Sequence, residues 1–115
     1  MTMSTKTRKK KGRSLQNWVR DRILFLFPSL TTDDVSSNIM GNIGEDVRLS
    51  PVARKLFPYS VECKNNKAFA IYKHFKQAQA NAGPHTPLLI VKQNRDKPLV
   101  IMDAEVFFEK IAKVN

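Results

Sequence analysis

At 115 residues, with 42% hydrophobic and 26% charged residues, the chain has room for one domain of ordinary globular composition. No apolar run approaches the roughly 18 residues that a membrane span needs, and no signal-peptide stretch opens the chain, so we expect an intracellular protein that does not enter a membrane. Twenty Lys and Arg residues against ten Asp and Glu residues give a net charge of +10, which favours nucleic acid as the partner.

The first thirteen residues concentrate the positive charge. Six of them are basic and none is acidic: Lys6, Arg8, Lys9, Lys10, Lys11 and Arg13. Such a block repels itself, so we predict a disordered basic arm over residues 1–13 that contacts nucleic acid through Lys9, Lys10, Lys11 and Arg13. Removing those six charges from +10 leaves +4, so the remaining domain, residues 14–115, is basic as well.

Ser14 is a suitable N-cap for a first helix, which Pro28 ends. Its apolar residues recur at three- and four-residue spacing and predict one buried stripe: Leu15, Trp18, Val19, Ile23, Leu26 and Phe27. We interpret Trp18 as a core residue and not as a platform for base stacking. A short strand over 35–40 and a tight turn at 41–44 (GNIG) are predicted next.

Alternation of polar and apolar residues predicts two strands that carry acidic residues. The first covers 46–49, with Asp46 on its polar face. Ser50-Pro51 then predicts the start of a short helix. The second strand is YSVECK, residues 59–64, with Ser60, Glu62 and Lys64 on one face.

A longer helix is predicted over about 68–82, with Asn65 or Asn66 as its cap and Gly83 at its end. One side of this helix carries Phe69, Tyr72, Phe75 or Lys76, and Gln79. Strands over 87–92 and 99–102 form a predicted hairpin, and Asp103 caps a last helix. This order of elements predicts an α/β fold, a single-domain mixed sheet with flanking helices.

Asp46 and Glu62 are the candidate metal ligands. If their strands are neighbours, the two carboxylates can converge on one divalent cation, and carboxylates suit Mg²⁺. Lys64, about 6.6 Å from Glu62 along the strand, would orient an attacking water or stabilise developing negative charge. Glu45 is the alternative to Asp46, but neighbours on a strand face opposite ways, and Asp46 leaves the apolar residues that follow it facing the core.

The arrangement Asp46 … Glu62-Cys63-Lys64 resembles the motif of the PD-(D/E)XK nucleases, and the predicted element order is similar to that superfamily's αβββαβ core. The likeness covers residues 11–102 and is nearest to small Holliday-junction resolvases and related phage-type endonucleases, which also open with a basic Lys-Gly segment. It implies a restriction-endonuclease-like fold that hydrolyses DNA phosphodiester bonds, in the cytoplasm of a cell or of a phage's host. It also implies Mg²⁺, for which Mn²⁺ substitutes, on Asp46 and Glu62.

The resemblance suggests further site residues. Resolvases usually supply a glutamate from the first helix, and the corresponding position here is Gln16. The helix after the E-X-K strand often adds a polar residue; Gln77 is the first candidate and Gln79 the second. Lys73 and Lys76 of the same helix are candidates for contact with phosphate.

Three functions remain open. The leading one is an endonuclease for branched DNA, because 115 residues leave little protein to read many bases. The alternatives are a site-directed endonuclease of homing or restriction type with the same core, and a catalytically silent nucleic-acid-binding module. Coordinated cutting of two strands favours a homodimer, and the adjacent Phe107 and Phe108 are the first place to look for its interface.

Overall fold

The structure, a computed structural model, describes residues 5–39, 41–66 and 68–114, which form four helices and five strands. The helices are α1 (Thr5–Leu26), α2 (Pro51–Leu56), α3 (Ile71–Ala82) and α4 (Ala104–Val114). The strands are β1 (Val35–Ser37), β2 (Val47–Leu49), β3 (Tyr59–Asn65), β4 (Thr86–Lys92) and β5 (Leu99–Ile101). The predicted α/β class with flanking helices is confirmed. Among the described helices, none has both the length and the apolar character needed to cross a membrane.

The five strands form two sheets. The larger has the order β3-β4-β5, with β3 parallel to β4 and β4 antiparallel to β5, and the smaller is the antiparallel pair β1-β2. Parallel neighbours need a long crossover, which α3 supplies between β3 and β4. The predicted hairpin of β4 and β5 is confirmed. The predicted cap of the last helix is confirmed too, because Asp103 Oδ1 accepts a hydrogen bond from the Val106 N–H at 3.1 Å.

Helices cover both faces of β3. On one face, α1 buries Leu15, Val19 and Ile23 in a core that also includes Val61 and Cys63 of β3. On the other face lies α3, which buries Ala78 and Ala82. Because both faces are covered, residues 60–63 are all buried, polar residues included. A glutamate in the middle of such a strand is therefore held out of solvent.

The predicted start of the first helix at Ser14 is wrong. Helix α1 begins at Thr5, so the part of the predicted disordered arm that is described is helical, and residues 1–4 of that arm lie outside the described residues. Lys and Arg are good helix formers, and extending an existing helix is easier than starting one. The extension also has tertiary contacts, since Lys11 hydrogen-bonds Asn94 with its side chain and Asn65 with its carbonyl oxygen.

Two helix faces also differ from the predictions. Trp18, interpreted as a core residue, has 41% of its surface exposed, and Leu26 at the end of the predicted stripe is exposed as well. In α3, Tyr72 is exposed, and the face against the sheet carries small alanines instead. The cap predicted at Asn65 or Asn66 is wrong, because β3 includes Asn65 and α3 begins only at Ile71.

Ser50 holds the chain between β2 and α2, and its replacement by alanine should destabilise the fold. The hydroxyl accepts from the Ala53 N–H at 3.1 Å and donates to Asp34 Oδ1 at 2.8 Å. Loss of such an N-cap lowers the free energy of unfolding by about 1 kcal/mol, which urea denaturation would measure for Ser50→Ala. The control Ser29→Ala, at an exposed turn position, should stay within about 0.5 kcal/mol of wild type. Equal stability of the two variants would contradict the expectation.

Candidate active site

Asp46 connects the smaller sheet to β3. Its backbone N–H donates to the Val61 carbonyl at 2.8 Å, and its side-chain Oδ2 accepts from the Cys63 N–H at 2.8 Å. Just before it, Gly44 has a φ of 106°, a conformation that glycine adopts far more readily than other residues. The turn over 41–44 thus brings Asp46 to β3, and two backbone groups of β3 hold it there. Glu45, the alternative ligand, instead forms an ion pair with Arg54.

Glu62, on β3, lies beside Asp46 and is only 4% exposed. Its Oε1 lies 3.6 Å from the Lys64 Nζ, so the two residues share a strand face as the alternation predicts. Its Oε2 accepts a hydrogen bond of 3.4 Å from the Asn81 Nδ2 of α3. The negative charge of Asp46 acts directly on Glu62, so the two carboxyl groups lie close together. We call these two residues the acidic pair.

Burial raises the pKa of both carboxyl groups of the acidic pair, because desolvation disfavours the charged form. For Glu62, the negative charge of Asp46 raises the pKa further, while the Lys64 ammonium lowers it. For Asp46, the hydrogen bond from Cys63 and the charge of Lys64 lower the pKa, but burial outweighs them. One lysine therefore does not offset the desolvation of two neighbouring carboxylates. Perturbed pairs of this kind are typical of functional sites.

Cys63 lies between the two site residues of β3 but does not fit a nucleophile. Burial raises the pKa of its thiol, and the charges of Asp46 and Glu62 raise it further. The thiolate is the reactive form of cysteine, so this side chain stays a neutral core group at physiological pH. The chemistry of the site therefore depends on its carboxylates and amine.

Helix α3 contributes Asn81 to the site. Gln77 is exposed, as is Gln79, whereas Asn81, one turn after Gln77, contacts Glu62. The described contact to Glu62 thus comes from Asn81, and the role of Gln77 stays a prediction. His74 shares this face of α3, and burial followed by the positive charges of Lys64 and Lys73 lowers its pKa. His74 and Asn81 lie four residues before and three residues after the buried Ala78, and positions three and four apart share a helix face. This spacing is the sequence signal that identifies Asn81.

Gln16 is buried in α1, where the resemblance to resolvases predicts a site residue. Its side chain is 5% exposed, and its Oε1 has no hydrogen-bond partner among the described residues. A buried polar atom without a partner is costly and rare in folded proteins. In the described part of the chain, no hydrogen bond joins Gln16 to the acidic pair, so its role stays a prediction.

The predicted phosphate-binding residues fall into two separate groups. Lys9 and Arg13 are exposed on α1, while Lys10 and Lys11 of the same helix line a groove beside the turn between β4 and β5. Lys73 and Lys76 are exposed on α3. The two groups lie on different helices, which pack on opposite faces of β3. Positive charge therefore lies on both sides of β3.

The acidic pair suits a magnesium ion that also binds water and phosphate. It does not supply enough ligands for a site in which the protein alone surrounds the metal. Within residues 5–39, 41–66 and 68–114, there is no group of three or more His, Cys, Asp or Glu side chains able to hold a metal. Mg²⁺ commonly takes one or two protein carboxylates and completes its shell with water and substrate phosphates. Two desolvated carboxylates with raised pKa values are stabilised by such a cation. The residues therefore suit an ion that binds together with a phosphate substrate.

No protein-family model, curated protein or solved structure matches the chain. A fold class alone does not assign a function, since one architecture hosts many activities. The function must therefore be inferred from the chemistry of the acidic pair and its surroundings.

Glu62→Gln should stabilise the protein at alkaline pH. Because the folded pKa of Glu62 is raised, the folded state holds more protons than the unfolded chain above the ordinary carboxyl value of 4.5. Wild-type stability therefore falls as the pH rises from that value through the folded pKa. Glutamine keeps the shape without this loss. We expect Glu62→Gln to be more stable than wild type by about 1 kcal/mol at pH 8 and to lose the advantage at pH 4.

Urea denaturation over a pH series would measure this difference. Glu109→Gln, at an exposed position of α4, removes the same charge and should show no such pH-dependent gain. A Glu62→Gln protein that is less stable than wild type at pH 8 would show that burial does not strain the charged acidic pair.

Proposed function

We propose that the chain is an intracellular, Mg²⁺-dependent DNA endonuclease that hydrolyses phosphodiester bonds in branched DNA and acts as a homodimer. The observation that carries the proposal is the convergence of two desolvated carboxylates, Asp46 and Glu62, with Lys64 in a chain of net charge +10. A protein that only binds phosphates gains nothing from burying negative charge. A metal-dependent phosphodiesterase needs such a pair.

Each residue of the site has a distinct task in this reaction. Asp46 and Glu62 would hold the metal ion. When bound, Mg²⁺ supplies Lewis-acid polarisation of the scissile phosphate and lowers the pKa of a coordinated water. Lys64, 3.6 Å from Glu62, orients the attacking water and stabilises the negative charge that develops on the phosphate oxygens. Asn81 is a positioning residue, because its amide fixes the Glu62 carboxylate from α3.

Branched DNA is supported as the substrate by the exposed apolar side chains of α4 and β5, which suit a dimer. Cutting a junction requires two coordinated incisions, which a two-fold dimer supplies. Exposed aromatic side chains at Phe107 and Phe108 of α4, together with exposed Leu99 and Val100 of β5, suit an interface between two copies.

A catalytically silent nucleic-acid-binding module is the second candidate. It is favoured by one observation, namely that the described residues bring only two carboxylates together and carry Gln16 where resolvases have an acid. Such a module would keep the groove and its basic side chains but cut nothing. Direct measurement of cleavage separates the two functions.

Cleavage should require Mg²⁺ and both carboxylates. The substrates are matched four-way-junction, linear duplex and single-stranded DNA, each incubated with and without Mg²⁺, with products resolved on denaturing gels. We expect the junction to be cut preferentially. Asp46→Asn and Glu62→Gln should reduce the rate at least about a hundredfold, because transition-state stabilisation is lost. Asp21→Asn and Glu109→Gln, exposed positions with the same chemical changes, should cut at the wild-type rate.

Other outcomes of the same panel are informative. Cutting of a duplex at one defined sequence would favour a site-directed endonuclease with the same core. Binding without cutting of any substrate would favour the silent module. Undiminished cleavage by both Asp46→Asn and Glu62→Gln would overturn the assignment of the acidic pair.

Mg²⁺ should also stabilise the folded protein in the absence of DNA. A ligand at about one hundred times its dissociation constant adds about 2.7 kcal/mol to the free energy of unfolding when it binds only the folded state. We expect the thermal unfolding midpoint to rise with Mg²⁺ concentration for wild type and to stay constant for Glu62→Gln. NaCl of equal ionic strength is the control. Equal rises for both proteins would place the bound ion elsewhere.

A further inference from the structure

A groove of about 530 Å³ lies between α1 and the turn that joins β4 to β5. It does not include the acidic pair, but Asn65 in its lining directly follows Lys64 on β3. Neighbouring residues of a strand face opposite ways, so the groove lies on the α1 side of β3, whereas Glu62 of the acidic pair faces α3. Its volume falls within the range of about 300–1,000 Å³ that is usual for small-molecule sites.

The groove carries positive charge that no acidic side chain neutralises. Four cations from different parts of the chain line it: Lys10, Lys11, Lys92 and Arg95. The ion pairs among the described residues all lie elsewhere. Lys11 donates instead to the amide oxygen of Asn94, and Lys92 to the carbonyl of Gln93 at 3.1 Å. These neutral partners hold the ammonium groups in place and leave their charge available to an anion.

Trp18 adds an aromatic surface to this basic groove. It lines the groove together with Leu15 and Pro98, and 41% of its surface is exposed. An indole and aliphatic side chains give one part of the groove an apolar floor, next to the cations. A free phosphate or an acidic peptide would use only the cations. A nucleotide uses both parts, because its base stacks on an aromatic ring while its phosphate meets Lys and Arg.

The backbone at Arg95 is a further sign of a ligand site. Arg95 has a φ of 66°. Apart from the glycines, it is the one described residue with a positive φ. The backbone of residues other than glycine is strained in this left-handed region. Such strain is found at segments that hold a ligand. The turn holds a guanidinium at the groove where glycine would be easier to accommodate.

We propose that this groove binds an unpaired nucleotide of DNA, with its base against Trp18 and its phosphate against Lys92 and Arg95. The inference rests on the proposed function in taking DNA as the substrate. Bases inside a duplex stack on their neighbours and cannot offer a face to Trp18 unless they leave the stack. The groove therefore selects DNA that has single-stranded or branched segments, and it does so without reading sequence.

The test uses the full chain in the absence of divalent metal, so that no cleavage occurs. Trp18 is the single tryptophan of the chain, so its fluorescence reports on the groove directly. Titration with a twelve-residue oligothymidylate should quench this fluorescence, and a duplex of the same length should quench it far less. Anisotropy of a labelled oligothymidylate gives the affinity of variants.

Three variants and one control separate stacking from charge. Trp18→Ala should weaken single-strand binding about tenfold, a typical loss of one stacked base. Lys92→Ala and Arg95→Gly should weaken it severalfold, and each should reduce the salt slope by up to about 0.7, the value for one phosphate contact on a single strand. Arg95→Gly suits the positive φ, so the fold is retained. Lys55→Ala removes an exposed charge from α2, away from the groove, and should leave affinity near that of wild type.

The outcomes distinguish this inference from the proposed function. The proposed role of the groove would be overturned by any of three results. These are single-strand binding without quenching, no binding at all, and equal affinity of Arg95→Gly and Lys55→Ala. A protein that quenches on single strands but never cuts DNA with Mg²⁺ would overturn the endonuclease and leave the groove in place. A protein that cuts junctions without quenching would do the reverse.

Discussion

The attachment of Asp46 to β3 is the constraint on which the rest of the molecule depends. Two hydrogen bonds, from Asp46 N–H to Val61 O and from Cys63 N–H to Asp46 Oδ2, join the small sheet to the large one. The same contacts fix a carboxylate beside Glu62. Because both partners are backbone groups, any side chains at 61 and 63 that still fill the core preserve the geometry. Architecture and site are thus built by one residue, and a change at Asp46 affects both.

Holding Asp46 beside Glu62 has an electrostatic cost, because both carboxylates lose water and repel each other. The two carboxyl groups lie close together and are shielded from water, which raises the pKa of each. The positive charge of Lys64 is not enough to cancel this effect. Burial by helices on both faces of β3 is what makes the site expensive and also what excludes competing water. The excess of positive charge in the chain does not relieve the pair, because the cation that lowers both pKa values is Lys64, while Lys9, Lys73 and Lys76 on α1 and α3 are exposed. Under the proposed function, Mg²⁺ would neutralise this charge and relieve the cost.

Sequence patterns predicted the parts of this structure that depend on local rules. The alternation in YSVECK places Glu62 and Lys64 on one face, and residue preferences predict the hairpin of β4 and β5 and the cap at Asp103. The failures have a tertiary origin. Trp18 fits the apolar stripe of α1, but the groove beside the β4–β5 turn leaves it half exposed. The large apolar residues of α3 predict an inner face through Tyr72, whereas the structure buries the small Ala78 and Ala82 against the sheet and leaves Tyr72 exposed.

The continuity of α1 limits how the sequence of this protein can vary. Its 22 residues form one rod of about 33 Å, in which the groove lysines come first and the core residues Leu15, Val19 and Ile23 follow. Inserting or deleting a single residue between Lys11 and Leu15 would turn the first half by about 100° against the second. The lysines would then leave the groove even though composition and charge were unchanged. Related chains should therefore keep the length of this segment while freely exchanging its solvent-facing side chains, and gain or lose residues elsewhere.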